Sequence, residues 1–178
     1  RHEGMVAAIA FESLVKLAAF LCVGVFVVYG LFGGLGDIFS QARARPELAD
    51  LLHAEQGGAY SWARWMGLMV LALCAALVLP RQFQVMVVEN VHEDHVRRAS
   101  WMFPLYLLLI NLFVLPIALG GLLYFSGGEH NPEHFVLSLP MAAGQNALAL
   151  FVFIGGLSAA TGMVIVETVA VSTMVSNE

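Results

Sequence analysis

The chain has 178 residues, of which 60% are hydrophobic and 12% are charged, and its formal net charge is -5 at pH 7. An average soluble domain carries about one quarter charged residues. Eight basic and 13 acidic residues cannot cover a soluble core of this size, so the composition indicates lipid as the surrounding medium. The charge is dispersed without a basic run that would follow a phosphate backbone, and nucleic acid is not an expected partner.

Four stretches are apolar over the roughly 20 residues that a helix needs to cross about 30 Å of hydrocarbon. They predict spans at about 4–34, 61–88, 99–125 and 141–175. Because the runs are continuous, they favour helices over barrel strands, whose residues would alternate. Residues from about 37 to 58 predict an external amphipathic segment that a proline breaks. The sequence therefore predicts an all-α membrane protein with about four transmembrane helices.

Positive residues near the ends of the spans set the expected orientation. Arg97 and Arg98 lie in the connection 89–98, whereas the connection 126–134 contains no Lys or Arg. We therefore expect the connection 89–98 and Arg1 in the cytoplasm and the other two connections outside. The chain opens without a methionine and ends within a helical pattern, which indicates an internal piece of a longer protein.

Glu12 and Lys16 are charged residues within the first predicted span, where a charge is costly enough to suggest a function. They are four residues apart and so share one face of a helix. In one interpretation the two form a pair that neutralises itself or lets Lys16 extend to the interface. In the other, Glu12 lies beside an ion path, since a hard cation such as sodium prefers oxygen ligands.

Small residues are concentrated at 153–163 in the fourth span, where Ser158 and Thr161 place hydroxyl groups one turn apart. The pattern alone favours a packing seam whose hydroxyls bond to their own helix, and an ion site is the alternative. Glu167 is expected to be either a buried carboxyl bonded to a neighbouring helix or an ion or proton site. Asn111, in the third span, is expected to hydrogen bond between helices.

Other kinds of site are not predicted. The sequence contains no nucleophile elbow, phosphate loop or paired catalytic carboxylates, so we expect no enzyme within this segment. Cys22 and Cys74 lie in apolar runs. His92 and His95 are three residues apart and lack the His-Glu-x-x-His pattern of zinc ligands, and Pro132 interrupts the pair of His130 and His134. No cofactor is expected, and no metal apart from a sodium ion.

Four ordered motifs resemble the sodium/solute symporter family: RHEGMVAAIAFESLVKL at 1–17, LPRQF at 79–83, FPLYLLLINLFVLP at 103–116 and GGLSAATGMVIVE at 155–167. The similarity is closer to the branch that forms the membrane half of bacterial sensor histidine kinases. It covers nearly the whole chain and implies a partial symporter domain in a bacterial inner membrane. The chain would supply the last helix of the first repeat and the first three helices of the second in an inverted-repeat core.

The resemblance also implies roles for individual residues. Glu12 is near an acidic position that the family associates with ion passage. Ser158, Ala160 and Thr161 fall on the segment that supplies hydroxyls and a carbonyl to the common sodium site. The family usually has two adjacent hydroxyl residues there, whereas Thr161 is flanked by Ala160 and Gly162.

Gln82 and Phe83 fall on the substrate-facing helix of the family and are candidate solute-lining residues. The implied function is sodium-coupled transport of a small polar solute such as an amino acid, coupled to signalling, as two repeats rock about a midplane site. One alternative is a solute-sensing input module of a two-component sensor histidine kinase with little or no transport, whose partners are a C-terminal kinase and a response regulator. A second is a structural membrane subunit. The lipid bilayer and the remaining transmembrane helices of the same protein are the other expected partners.

Overall fold

The computed structural model describes residues 3–52, 62–79, 90, 93–125 and 131–176, and these residues form helices and turns without any strand. The prediction of an all-α chain is confirmed for this part. A π-helical segment, Phe26–Leu31, continues the first helix, and a 3-10 turn, Pro132–His134, precedes the seventh. The α-helices are α1 Glu3–Val25, α2 Leu35–Ala44, α3 Pro46–Leu52, α4 Trp62–Val78, α5 Glu93–Leu112, α6 Val114–Tyr124, α7 Phe135–Ala142 and α8 Asn146–Ser176.

Three helical stretches are long and apolar enough to cross a membrane: Ala7–Leu31, Asp94–Tyr124 and Asn146–Ser176. They correspond to the first, third and fourth predicted spans. In the second predicted span, α4 has 17 residues, or about 26 Å at 1.5 Å per residue. Residues 80–88 of that span lie outside the described residues. The described part of the chain therefore contains three membrane-length helices where the sequence predicted about four.

The third predicted span begins earlier than its apolar run. Residues 89–98 were predicted as a connection, but the chain is helical from Glu93, so Arg97 and Arg98 belong to α5. Asp94 lies in the first turn of α5, where its negative charge complements the positive end of the helix dipole. A helix can therefore start in a polar stretch that hydropathy alone assigns to a loop.

Backbone breaks explain two further boundaries. Helices α5 and α6 are separated at Phe113, because the ring of Pro116 is incompatible with a regular helix at the carbonyl of Leu112, four residues earlier. Gly144 has a φ of +71°, a conformation that favours glycine, and it turns the chain between α7 and α8. The fourth span consequently begins at Asn146, later than its predicted start.

The main apolar core lies at one end of the molecule, where the π-helical segment meets α2, α3, α6, α7 and the start of α8. The segment predicted to be amphipathic forms α2 and α3, and its break falls at Pro46 as expected. Its apolar face packs on the core through Ile38, Ala42 and Leu48. The largest fully buried side chains are Phe135, Ile38, Leu119, Leu139, Val23, Val27, Val28 and Pro140.

Outside this core the helices expose apolar side chains. Only 28%, 17% and 22% of the most apolar windows in the three membrane-length stretches are buried. The accessible surface is 12449 Å², against about 8,400 Å² for a compact soluble protein of 19.2 kDa. Such a surface requires lipid or further helices to cover it.

Contacts between the long helices fix their relative directions. A Cβ placed on Gly155 of α8 would lie 3.1 Å from that of Ala19 in α1, and Gly162 contacts Glu12. Since residue numbers rise along α1 as they fall along α8, the two helices are antiparallel.

Contacts of α1 with the chain from Tyr106 onward show that α5 and α6 run parallel to α1. The hydroxyl of Tyr106 in α5 is 3.4 Å from the carbonyl oxygen of Ser13. Further along both helices, Phe113 packs directly against Gly24. The chain therefore enters α5 at the end of the molecule where α1 begins, which is the end opposite the main core.

The first turn of α2 is held by Asp37. Its carboxylate accepts the backbone N–H of Gly33 at 3.0 Å and the side-chain amide of Gln41 at 2.9 Å. The hydrogen bond from Gln41, followed by that from Gly33, lowers the pKa of Asp37 below its ordinary value of 3.8. Both bonds favour the charged form, so the carboxylate stabilises the start of α2.

Acidification is expected to remove this contribution. Because the pKa is lowered in the folded chain, the stabilisation is complete above the unfolded pKa near 3.8 and is lost as the pH falls through the lower folded value. Thermal unfolding in detergent should show that Asp37→Asn melts below the native chain between pH 5 and 7, and that the difference shrinks below about pH 4. A difference that stays constant throughout the acid range would contradict this role.

Candidate functional site

A groove of about 390 Å³ lies between α1 and α8, and it brings together three residues that the sequence analysis named as ion-binding candidates. Glu12 comes from α1, and Ser158 and Thr161 come from α8 one turn apart. Ala160 is exposed and does not line the groove. The described structure therefore unites Glu12, Ser158 and Thr161 in one place and leaves Ala160 outside it.

Gly162 makes room for the carboxylate of Glu12. A Cβ at position 162 would overlap both carboxylate oxygens, so only a glycine allows this approach. Gly155 makes the corresponding close contact with Ala19, seven residues away on each helix and so nearly two turns along the same face. These two contacts bring the backbone of α8 close to α1, and the carboxylate of Glu12 lies within the interface at 12% exposure.

Lys16 occupies one side of the same carboxylate. Its Nζ lies 2.6 Å from Oε1 of Glu12, and the lysine side chain is 24% exposed. The ion pair that the first interpretation predicted for these two residues is therefore present in the structure. Removing one member of a pair with so little water around it would leave a costly uncompensated charge.

The hydroxyl of Thr161 donates to the carbonyl oxygen of Leu157 in its own helix at 2.9 Å. This is the bond that the packing-seam interpretation predicts. It uses the hydrogen of the hydroxyl and leaves the lone pairs of Oγ1 available to a cation. The own-helix bond and an ion site at Thr161 are therefore compatible.

The other predicted residues do not join this groove. Glu167 is exposed rather than buried, and it does not line the groove. Asn111 donates to the carbonyl oxygen of Leu107 at 2.7 Å, within its own helix, and the hydrogen bond to another helix that was expected of it is not seen among the described residues. The candidate solute-lining residues Gln82 and Phe83 lie outside the described residues.

The chemistry of the groove is that of one carboxylate with neutral oxygens beside it. Among the described residues, no three His, Cys, Asp or Glu side chains are grouped so that they could hold a metal ion. A single negative charge with hydroxyl oxygens suits a monovalent hard cation or a proton better than a transition metal, which prefers nitrogen and sulfur ligands.

Two features of the site were missed by the sequence analysis. The hydroxyl of Tyr106 reaches the backbone of Ser13, next to Glu12, and so links α5 to the site. Lys16 also lines a second groove, of about 400 Å³, on the other side of the pair. A single tyrosine in an apolar run gives no periodic signal, and neither groove is visible without the register between helices.

Comparisons of the chain with protein-family models, with curated proteins and with solved structures find no match. The resemblance to sodium/solute symporters therefore remains a prediction, and the geometry of the groove carries the functional argument.

A substitution at Gly162 is expected to disrupt the contact between α1 and α8. In Gly162→Ala the new methyl group would overlap the carboxylate of Glu12, and overpacking of this kind costs about 1–3 kcal/mol. Gly156→Ala is the matched control on the same helix, because a Cβ there meets nothing within 4 Å.

Thermal unfolding of both variants in lipid nanodiscs measures the difference between their melting temperatures. We expect a lower melting temperature for Gly162→Ala and an unchanged or slightly higher one for Gly156→Ala, since alanine favours the helix. Equal effects of the two substitutions would show that the contact between Gly162 and Glu12 is not important for stability.

Proposed function

We propose that the chain forms part of the core of a sodium-coupled secondary transporter in a bacterial inner membrane, which carries a small polar solute such as an amino acid. The convergence of Glu12, Ser158 and Thr161 on one groove between two membrane-length helices is the observation that carries this proposal. Polar groups are costly in such helices. Two parts of the chain that are far apart in sequence supply the three polar residues of this groove, which favours a site over unrelated packing details.

The arrangement of oxygens supports sodium as the coupling ion. A hard cation is bound by several carboxylate, hydroxyl and carbonyl oxygens, and the groove offers the first two kinds. Lys16 already neutralises the carboxylate of Glu12, so an entering cation competes with its ammonium group. We therefore propose that ion binding displaces Lys16 from Glu12.

The directions of the helices support a fourth crossing of the membrane. Because α1 and α5 are parallel, residues 32–92 have to return from the end of one to the start of the other. Within them, α4 is an apolar helix whose described side chains are almost all exposed. We propose that α4 and the residues after it form this crossing, and that the remaining helices of an inverted-repeat core cover the exposed apolar surface.

Sodium-driven uptake into proteoliposomes that contain the full-length protein tests the ion site. Thr161→Val removes a hydroxyl of the groove, and Glu12→Gln removes its charge, so we expect each to lower sodium-dependent uptake of labelled amino acids at least about tenfold. That corresponds to the loss of about 1.4 kcal/mol of binding free energy.

Thr168→Val is the matched control for Thr161→Val. Thr168 is also exposed on α8 and donates to a carbonyl of its own helix, that of Val164 at 2.7 Å, but it does not line the groove. Uptake by this variant should equal that of the native protein. Uptake that ignores the sodium gradient, or equal losses in the two threonine variants, would refute the proposal.

Cysteine labelling tests the fourth crossing. Ser40 in α2 and Ser100 in α5 are both exposed, and each is replaced by cysteine after Cys22 and Cys74 are changed to alanine. Four crossings place them on opposite sides of the membrane. We expect a membrane-impermeant maleimide to label Ser40→Cys in intact cells and Ser100→Cys only after permeabilisation. Labelling of both from the same side would contradict the topology.

A further inference from the structure

The ion pair of Glu12 and Lys16 lies between two cavities. Glu12 lines the cavity of about 390 Å³ between α1 and α8, here called the Glu12 groove. Lys16 lines the cavity of about 400 Å³ bounded by α1, α5, α7 and α8, here called the Lys16 groove. Leu157 borders both. The negative member of the pair thus faces one cavity and the positive member faces the other.

The Lys16 groove has a distinct chemistry. Among the described residues that line it, Lys16 alone has a polar side chain, and the walls include Phe20, Ile110, Val136, Phe153 and Gly156. Its volume is within the usual range for small-molecule sites. Lys16 brings a positive charge to an otherwise apolar wall, and that charge is complementary to a carboxylate that carries an apolar tail. The described lining offers no side-chain acceptor for a second, positively charged group of a ligand.

We propose that the Lys16 groove binds a small monocarboxylate with an apolar tail, and that a cation in the Glu12 groove strengthens this binding by releasing Lys16 from Glu12. The inference rests on the proposed ion site, and for the Lys16 groove it replaces a polar solute such as an amino acid with an apolar carboxylate. It makes the ion pair the device that couples the two ligands.

Electrostatics gives the direction of the coupling. While Lys16 is 2.6 Å from Glu12, its charge is compensated and a carboxylate gains little from it. When a cation takes over Glu12, the ammonium group is left in apolar surroundings without a counter-ion, which is costly. A carboxylate in the Lys16 groove restores the balance. By linkage, the carboxylate must strengthen cation binding by the same factor.

Calorimetric titration of hexanoate into the full-length protein in nanodiscs tests the coupling. We expect the Kd of hexanoate to be at least about tenfold lower in sodium than in N-methylglucamine at equal ionic strength, within the usual range of coupling between two sites. Hexylamine has the same tail and the opposite charge, and it should not bind. The inference is overturned if hexylamine binds as tightly as hexanoate, or if sodium leaves the Kd of hexanoate unchanged.

Substitutions of the two charged residues should act in opposite directions. Lys16→Met keeps a long side chain without the charge and should abolish hexanoate binding. Glu12→Gln releases Lys16 permanently, so hexanoate should bind tightly and without any dependence on sodium. A pair with only a structural role would instead give two variants that lose hexanoate affinity to the same extent, and that result would overturn the inference.

A second pair of variants tests whether hexanoate binds in the Lys16 groove. A Cβ at Gly156 or at Gly67 of α4 meets nothing within 4 Å, so both positions have space for a larger side chain. Gly156→Phe fills the Lys16 groove and should abolish hexanoate binding, whereas Gly67→Phe should leave it unchanged. Retained affinity in Gly156→Phe would show that hexanoate binds elsewhere.

Binding of radioactive sodium separates this inference from the proposed function. If sodium binds through Glu12 but hexanoate affinity does not respond to it, the coupling is refuted and the ion site stands. If sodium does not bind at all, the proposed function fails. Hexanoate binding in Glu12→Gln then still decides whether the Lys16 groove takes a carboxylate.

Discussion

The contact between the Glu12 carboxylate and Gly162 is the constraint on which the candidate site depends. A side chain at position 162 would exclude the carboxylate, and sliding α8 by one turn along α1 would replace this glycine by a larger residue. Gly155 beside Ala19 repeats the constraint two turns away. Together the two contacts fix an antiparallel register between the helices. That register places Ser158 and Thr161 in the groove with Glu12.

Packing is uneven along the molecule, and this asymmetry is compatible with the proposed transport function. The buried core joins α2, α3, α6 and α7 to the π-helical end of α1, whereas Glu12, in the first half of α1, and Thr161, at the midpoint of α8, lie outside it. Local stability follows the density of buried apolar contacts. The part of the molecule that contains the site can therefore open at a lower cost than the part that contains the core. Alternating exposure of a site requires such a division between a fixed and a moving part.

The sequence was sufficient for properties that depend on neighbours along the chain. Continuous apolar runs predicted helices, three of which reach membrane length, and the spacing of Glu12 and Lys16 predicted their pair. Properties that depend on other helices were harder to predict. Glu167 was expected to be either a buried carboxyl bonded to a neighbouring helix or an ion or proton site, and it is exposed outside the groove. Asn111 was expected to reach another helix, and its side chain bonds within α5. The presence of Thr161 and Glu12 in one groove required a register that no local pattern contains.

The π-helical segment Phe26–Leu31 joins the buried core to α1, the helix that carries Glu12. A π turn holds one more residue than an α turn, and it can take up an insertion or deletion that would otherwise rotate the whole helix. Consecutive residues Val27 and Val28 are both fully buried within it. The segment can thus absorb a change of chain length near the core while the carboxylate of Glu12 keeps its orientation toward α8. Homologous chains could differ by one residue here and still retain the same polar groove.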